Sequence, residues 1–180
     1  GEVRKRTPVG VAAYRPVNAD AFDEQRIFDY LGMMGLPLVP CHEFPADARA
    51  AVFTVHATKD PEFAPKFMRL VERGIPIAVT DGLARRLEGR IDLNRPNVRI
   101  LPVKGKPKEL LEWDQSQLDA LRSFLLRPLE RSFSAPNGVG LYLFADGSWV
   151  VENFNDDPAE VELDGRTFTI APREWKYEWK

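Results

Sequence analysis

The run Ile75-Pro-Ile-Ala-Val-Thr-Asp-Gly-Leu-Ala-Arg-Arg-Leu87 constrains this chain more than any other stretch. Ile75 to Thr80 reads as a buried strand, Asp81-Gly82 as a tight turn, and the residues beyond as a helix that starts at once. A short β-branched run passing through a turn into a helical pattern is half of a parallel-sheet unit. In open sheets of this kind, ligands and catalytic groups sit beyond the carboxyl ends of the strands. Thr80 and Asp81 therefore stand where chemistry is expected, although they form no recognisable catalytic motif.

The same alternation recurs on either side. Val9 to Tyr14 is an apolar strand ended by Arg15-Pro16, and Asn18-Ala-Asp20 then opens a helix with Asp20, Asp23 and Glu24 in its first turn. Phe22, Ile27, Tyr30 and Leu31 recur at helical spacing and predict an inward face, with Gly35 as the stop. Leu36 to Pro40 is a second strand, Cys41 to Asp47 a loop, and Ala50 to His56 a third strand. A helix runs from Thr58-Lys-Asp60 through Arg73, with Pro61 in its first turn and Gly74 at its end. After the central stretch come a fifth strand, Val98 to Val103, and a helix from Gln115 to Leu126. The expected fold class is α/β: a doubly wound, mostly parallel five-stranded sheet in the order 2-1-3-4-5.

From about residue 133 the pattern turns to antiparallel β. Asp146-Gly147 and Asp164-Gly165 each join alternating apolar segments, which is a strong hairpin signal. Strands are expected over 139–145, 148–154, 159–163, 166–170 and 175–179, in a module too small to be stable alone and so packed on the α/β layer. The expected division is an α/β domain over 1–132 and a small β module over 133–180.

A chain of 180 residues, 44% hydrophobic and 29% charged, can bury a core of this size. Its net charge of −2 supplies no basic field for nucleic acid or an anionic membrane. Cys41, the single cysteine, excludes an intrachain disulfide and a multi-cysteine zinc site. No apolar run approaches the roughly 20 residues that span a bilayer. Residues 1 to 8 read as a polar lead-in, and the start Gly1-Glu-Val-Arg-Lys-Arg reads as processed or as a piece of a longer protein. Compartment stays open between cytoplasmic and exported, and no cofactor or metal is expected.

The pattern over residues 9–128 resembles the class I glutamine-amidotransferase-like, flavodoxin-like layer. In catalytic members the turn after the equivalent strand is a nucleophile elbow, Gly-x-Cys-x-Gly. Matching Pro76 to the proline that opens that strand puts Val79, Asp81 and Leu83 on the three elbow positions. A carboxylate does not perform the acyl chemistry of a thiolate, so the resemblance implies a layer without glutaminase activity. Layers of this kind without catalysis occur in glycoside hydrolases. The trimerisation domain of bacterial family 42 β-galactosidases is one, followed by a small β domain. Gly140-Leu-Tyr-Leu-Phe144, Trp149 to Asn155, Val161-Glu-Leu163 and Phe168 to Pro172 resemble that order. The resemblance implies an accessory domain of a larger carbohydrate-active protein, with other domains or further copies of the chain as partners.

Several residues invite sharper readings. Cys41, His56 and Asp81 are the catalytic candidates of a small hydrolase or transferase, as thiol, base and orienting carboxylate. Cys41 and His42 are adjacent on an extended segment and point to opposite sides, and the first strand separates Cys41 from His56. The bland reading is a buried thiol and a hydrogen-bonded histidine. Tyr14, Arg15, His42, Glu43, Lys59 and Thr80 are ligand-binding candidates for a strand-end crevice taking a sugar or small anion. The plainer expectation is an inherited crevice filled by its own loops. His42-Glu43 with His56 match no compact metal motif, and Glu152, Asp156 and Asp157 near Asn153 and Asn155 read as a solvated turn rather than a calcium loop. Arg85, Arg86 and Arg90 read as a solvated basic face. Trp149, Trp175, Tyr177 and Trp179 suit either packing and interface burial or, as a carbohydrate-binding module, stacking on sugar rings. Packing is the favoured reading.

Overall fold

A computed structural model describes residues 6–180. The first five residues of the lead-in lie outside the described residues; Pro8 and Val9 form a short strand, β1 (Pro8–Val9). Next come β2 (Val11–Tyr14), α1 (Ile27–Met33), β3 (Leu38–Cys41), β4 (Ala51–Phe53), α2 (Phe63–Glu72), β5 (Ile77–Thr80), α3 (Asp81–Leu87), β6 (Val98–Leu101) and α4 (Gln115–Leu126). Strands β2 to β6 make one parallel sheet in the order β3-β2-β4-β5-β6, the expected 2-1-3-4-5 arrangement. Its central strands β4 and β5 are buried along their whole length because both faces of the sheet are covered. Val52 and Ala78 enter a core with Ile27, Leu31, Leu118 and Leu125. Phe53, Ile77 and Val79 enter the opposite core with Phe63, Phe67, Leu83 and Leu87.

Local chemistry sets the starts of α3 and α4. Thr80 caps α3 by accepting from the Leu83 N–H at 3.3 Å, so the helix starts at Asp81 itself and no separate turn intervenes. Asp114 and Gln117 form a reciprocal capping box on α4. In α2, Phe63, Phe67, Leu70 and Val71 fall on one stripe and bury it.

Several expected boundaries move, among them the fifth strand, which ends at Leu101 rather than Val103, and the second helix, which starts at Phe63 after a 3₁₀ turn. The first helix begins at Ile27 rather than near Asn18, because Asn18, Phe22 and Arg26 all adopt positive φ and break any helical ladder. Phe22 is consequently 45% exposed, not part of an inward stripe. Cys41 ends a strand rather than starting a loop, and the third strand stops at Phe53, so that His56 sits in a 3₁₀ turn spanning Val55–Lys59. Arg86 is not simply solvated: its guanidinium donates to the Gly82 carbonyl and lies over the Phe22 ring.

The remaining strands are β7 (Phe133–Ser134), β8 (Val139–Phe144), β9 (Trp149–Asn153), β10 (Ala159–Leu163), β11 (Arg166–Ile170) and β12 (Trp175–Glu178). They form two antiparallel sheets, β1-β8-β9-β12 and β11-β10-β7. Leu141, Leu143, Trp149, Val151, Val161 and Ile170 fill the core between them. Asp164 and Gly165 both take positive φ, as the two-residue hairpin turn they signalled requires. Strand β1 pairs with β8, so the start of the chain contributes an edge to the C-terminal module. Gly10 makes the break between β1 and β2 feasible, since a Cβ there would lie 2.0 Å from the Pro37 carbonyl oxygen.

One buried side chain ties the two parts together. Arg122 of α4 donates to the carbonyls of Met34 at 2.9 Å, Ala135 at 2.5 Å and Pro136 at 3.3 Å. Burial lowers its guanidinium to a pKa of about 10, against the opposing pull of Asp119, and three carbonyl acceptors compensate the buried charge.

Candidate functional site

The carboxyl end of β5 is where the sheet topology concentrates polar groups, and each is already engaged. Asp81 Oδ1 accepts from the N–H of Gly82 at 3.0 Å and of Val103 at 3.1 Å. Its Oδ2 accepts from the Lys104 N–H at 2.9 Å and lies 3.5 Å from the Arg85 guanidinium. Asp81 thus clamps the segment after β6 onto the start of α3. Glu24, buried, turns in from the irregular 16–26 segment and accepts from the Val55 N–H at 3.0 Å. Burial raises its pKa, opposed by the Val55 N–H and the Thr80 hydroxyl. The carboxylate fits because residue 82 is glycine: a Cβ there would lie 2.4 Å from Glu24 Oε2 and 2.9 Å from Val55 Cγ1.

Neighbouring candidates are similarly occupied. His56 is 2% exposed, its Nδ1 is 2.6 Å from Thr54 Oγ1, and the Phe28 ring packs 4.9 Å away. Burial, with a smaller contribution from the positive charge of Arg15, lowers its pKa to about 4, so the imidazole is neutral at pH 7. Tyr14 donates to Asp60 at 2.8 Å within a cluster of Phe44, Phe53 and Phe63, and burial pushes its phenol well above the usual range. Burial alone would raise Asp60, but Lys66, Tyr14 and the Glu62 N–H together hold it below its ordinary value. Cys41 donates to the Ala13 carbonyl at 3.5 Å, and burial raises its thiol, which keeps the nucleophilic thiolate scarce. Among the described residues, Cys41, His56 and Asp81 share no hydrogen bond.

The ligand-binding candidates divide. Tyr14 and Thr80 are interior groups, while Glu43 and Lys59 are exposed. Arg15 and His42, with Cys41, line a separate cleft of about 740 Å³ that runs past α1 toward β8. Its walls are mainly apolar and include Phe28, Met33, Leu38, Tyr142 and Phe154. The sequence reading missed this cleft because β8 lies far along the chain. Gly140, beside Phe154 and the Gly32 carbonyl of α1, was the available signal: a strand glycine marks close backbone approach.

Away from these regions, Asp156 pairs with Arg173 at 2.9 Å, and Asn153 donates to the carbonyls of Asp157, Ile170 and Ala171. Among the described residues no group of three or more His, Cys, Asp or Glu is placed to hold a metal ion. No helix among them is long and apolar enough to cross a membrane. Trp149 is buried in the β module, whereas Trp175 and Tyr177 are 58% and 57% exposed.

Comparison with known proteins adds a family without an assigned activity. No curated protein matches the sequence. The crystal structure of the apo exo-carrageenase GH42 from Bacteroides ovatus aligns over 97% of this chain and 29% of its own, at 11% identity and a TM-score of 0.47. The chain therefore spans under a third of that protein, and a likeness at this level transfers no activity. Residues 6–110 match the family described as "Uncharacterized protein SSO3021, second domain". That is more than half of the sequence, and the chain belongs to this family.

Proposed function

We propose that this protein is a non-catalytic accessory unit of a larger carbohydrate-active protein, an α/β domain over 1–132 with a β module over 133–180, serving interdomain packing or oligomerisation. One observation carries the reading: at the strand ends, where this fold class does its chemistry, the Asp81 oxygens are spent on three backbone N–H groups and Arg85, and Glu24 fills the adjoining space. A partner surface is available on the β module. Cross-strand register puts the exposed Tyr142 and Tyr177 on one face, either side of the buried Val150, with Trp175 two residues from Tyr177. Exposed aromatic area of this kind characterises interaction surfaces. The carbohydrate setting follows the resemblance of the strand order and β-rich tail noted in the sequence.

Sedimentation of the full chain across a hundredfold concentration range tests this. Self-association that weakens in a Trp175→Ala/Tyr177→Ala double variant supports the oligomerisation form. Turnover of glutamine or of nitrophenyl glycosides that disappears in Cys41→Ala or Asp81→Ala sinks the reading and favours the small hydrolase or transferase. Sugar-dependent quenching of tryptophan fluorescence in the monomer favours a carbohydrate-binding module, for which the exposed Trp175 and Tyr177 rings are the motivation.

A further inference from the structure

The cleft beside Tyr142 differs from every polar group at the strand ends in having unused capacity. Its volume, about 740 Å³, is within the range of small-molecule sites, and its mostly apolar walls with few polar groups match their usual chemistry. Aromatic rings stand along it: Tyr142 and Phe154 from the β module, and Phe28 from α1. Gly32 of α1 lies on the lining, and a Cβ built there meets nothing within 4 Å, so the wall is open at that point.

Two polar residues of the lining, Arg15 and His42, stand together. Arg15 lines the cleft, and its guanidinium makes no hydrogen bond or ion pair with a described residue. His42 Nδ1 is 3.0 Å from the Arg15 carbonyl; a carbonyl only accepts, so Nδ1 carries the hydrogen and Nε2 of the neutral ring can only accept, which leaves the anion to Arg15. The other charges on the lining cancel, since Arg26 pairs with Asp29 at 3.2 Å. What remains is Arg15, a cation without an ion-pair partner among the described residues, on the lining of a mainly apolar slot.

We propose that this cleft is a binding site for a small ring-bearing anion. The anionic group pairs with Arg15, and the ring lies against Tyr142 and Phe154. Arg15 suits a carboxylate because its planar fork matches two oxygens at once. Two sources share this chemistry, an aromatic acid and an acidic sugar, because a sugar ring also presents an apolar face to an aromatic side chain. The inference goes beyond the accessory role: a ligand here does not require catalysis, and its failure leaves that role untouched.

Calorimetric titration of the full chain with benzoate, glucuronate and glucose tests it. At least one of the two anions is expected to bind with Kd below about 10 mM, and glucose not to bind. Arg15→Ala should weaken the anion tenfold or more. Gly32→Leu, which grows into open space, should abolish binding while leaving the thermal unfolding temperature unchanged or higher. Binding by benzoate alone assigns an aromatic acid, by glucuronate alone an acidic sugar, and by both a site that reads charge before ring type. The proposal is overturned if neither anion binds, if Arg15→Ala or Gly32→Leu binds as wild type does, or if glucose binds as tightly as glucuronate.

Discussion

The end of β5 and the cleft beside Tyr142 both involve residues at the carboxyl ends of strands of the same sheet, yet they use their polar groups in opposite ways. At β5, Asp81, Glu24 and Thr80 are bonded to backbone or to one another and hold loops in place, and the nearby His56 ring is bonded to the Thr54 hydroxyl. At the cleft, Arg15 is uncommitted and the walls are rings. A polar cluster at a strand end is therefore not evidence of chemistry until its hydrogen-bond partners are counted. The region that looks less catalytic retains the capacity to bind.

The largest expected effect breaks the comparison if it fails. Asp81→Ala removes a charged acceptor from three backbone N–H groups, and at about 1.5–3 kcal/mol per charge-assisted bond, less than additive, we expect a loss near 3 kcal/mol. Urea unfolding measures it; a change under 1 kcal/mol would mean Asp81 is free for other work.

His56 gives an effect of similar size that depends on pH. Its folded-state pKa of about 4 lies below the roughly 6.5 of an unfolded histidine, so protons bind preferentially to the unfolded chain between those values. Stability from the neutral imidazole is complete above pH 6.5 and is lost as pH falls toward 4, on the order of 3 kcal/mol in all. Glu24, whose folded pKa is raised, acts in the opposite direction, so the comparison is wild type against His56→Gln. Their difference in unfolding free energy should shrink between pH 7 and pH 5. A constant difference would place His56 in a wetter site than its packing indicates.

The smallest effects lie on the cleft side. Arg15→Ala should change stability by less than about 0.5 kcal/mol, as for an exposed residue without partners. Gly32→Ala should stabilise by roughly 0.5–1 kcal/mol, since the site is helical and open. Both are read from thermal unfolding. A large loss in either would show that the cleft walls are structural, and would erase the contrast with the β5 end.

Much of the fold was legible because its signals are local. Strand β5 and the helix after it show as an apolar run passing into a helical pattern, although the expected turn at Asp81-Gly82 is already helix, and α4 occupies the expected 115–126 span. Both Asp-Gly hairpins appear where the dipeptides stand. The site was harder to read. Glu24 looked like first-turn charge on a helix, and only its long-range bond to Val55 reveals that it plugs the β5 end. Arg122 interrupts the apolar face of α4 formed by Leu118, Leu121 and Leu125, and that interruption was the available sign of a buried charge.

The chain by itself determined the parallel order, the hairpin turns and the lack of a nucleophile elbow, because each depends on residues within a few positions or on the repeat of strand and helix. Tertiary structure alone decided that Glu24 fills one end of the sheet, that β1 joins β8, that Arg122 ties Met34 to Ala135, and that Arg15 opens onto a cleft walled by Tyr142 and Phe154. These contacts join groups tens of residues or more apart in the chain. Their free energy comes from burial and from pairing buried polar groups, which exist only once the layers have packed.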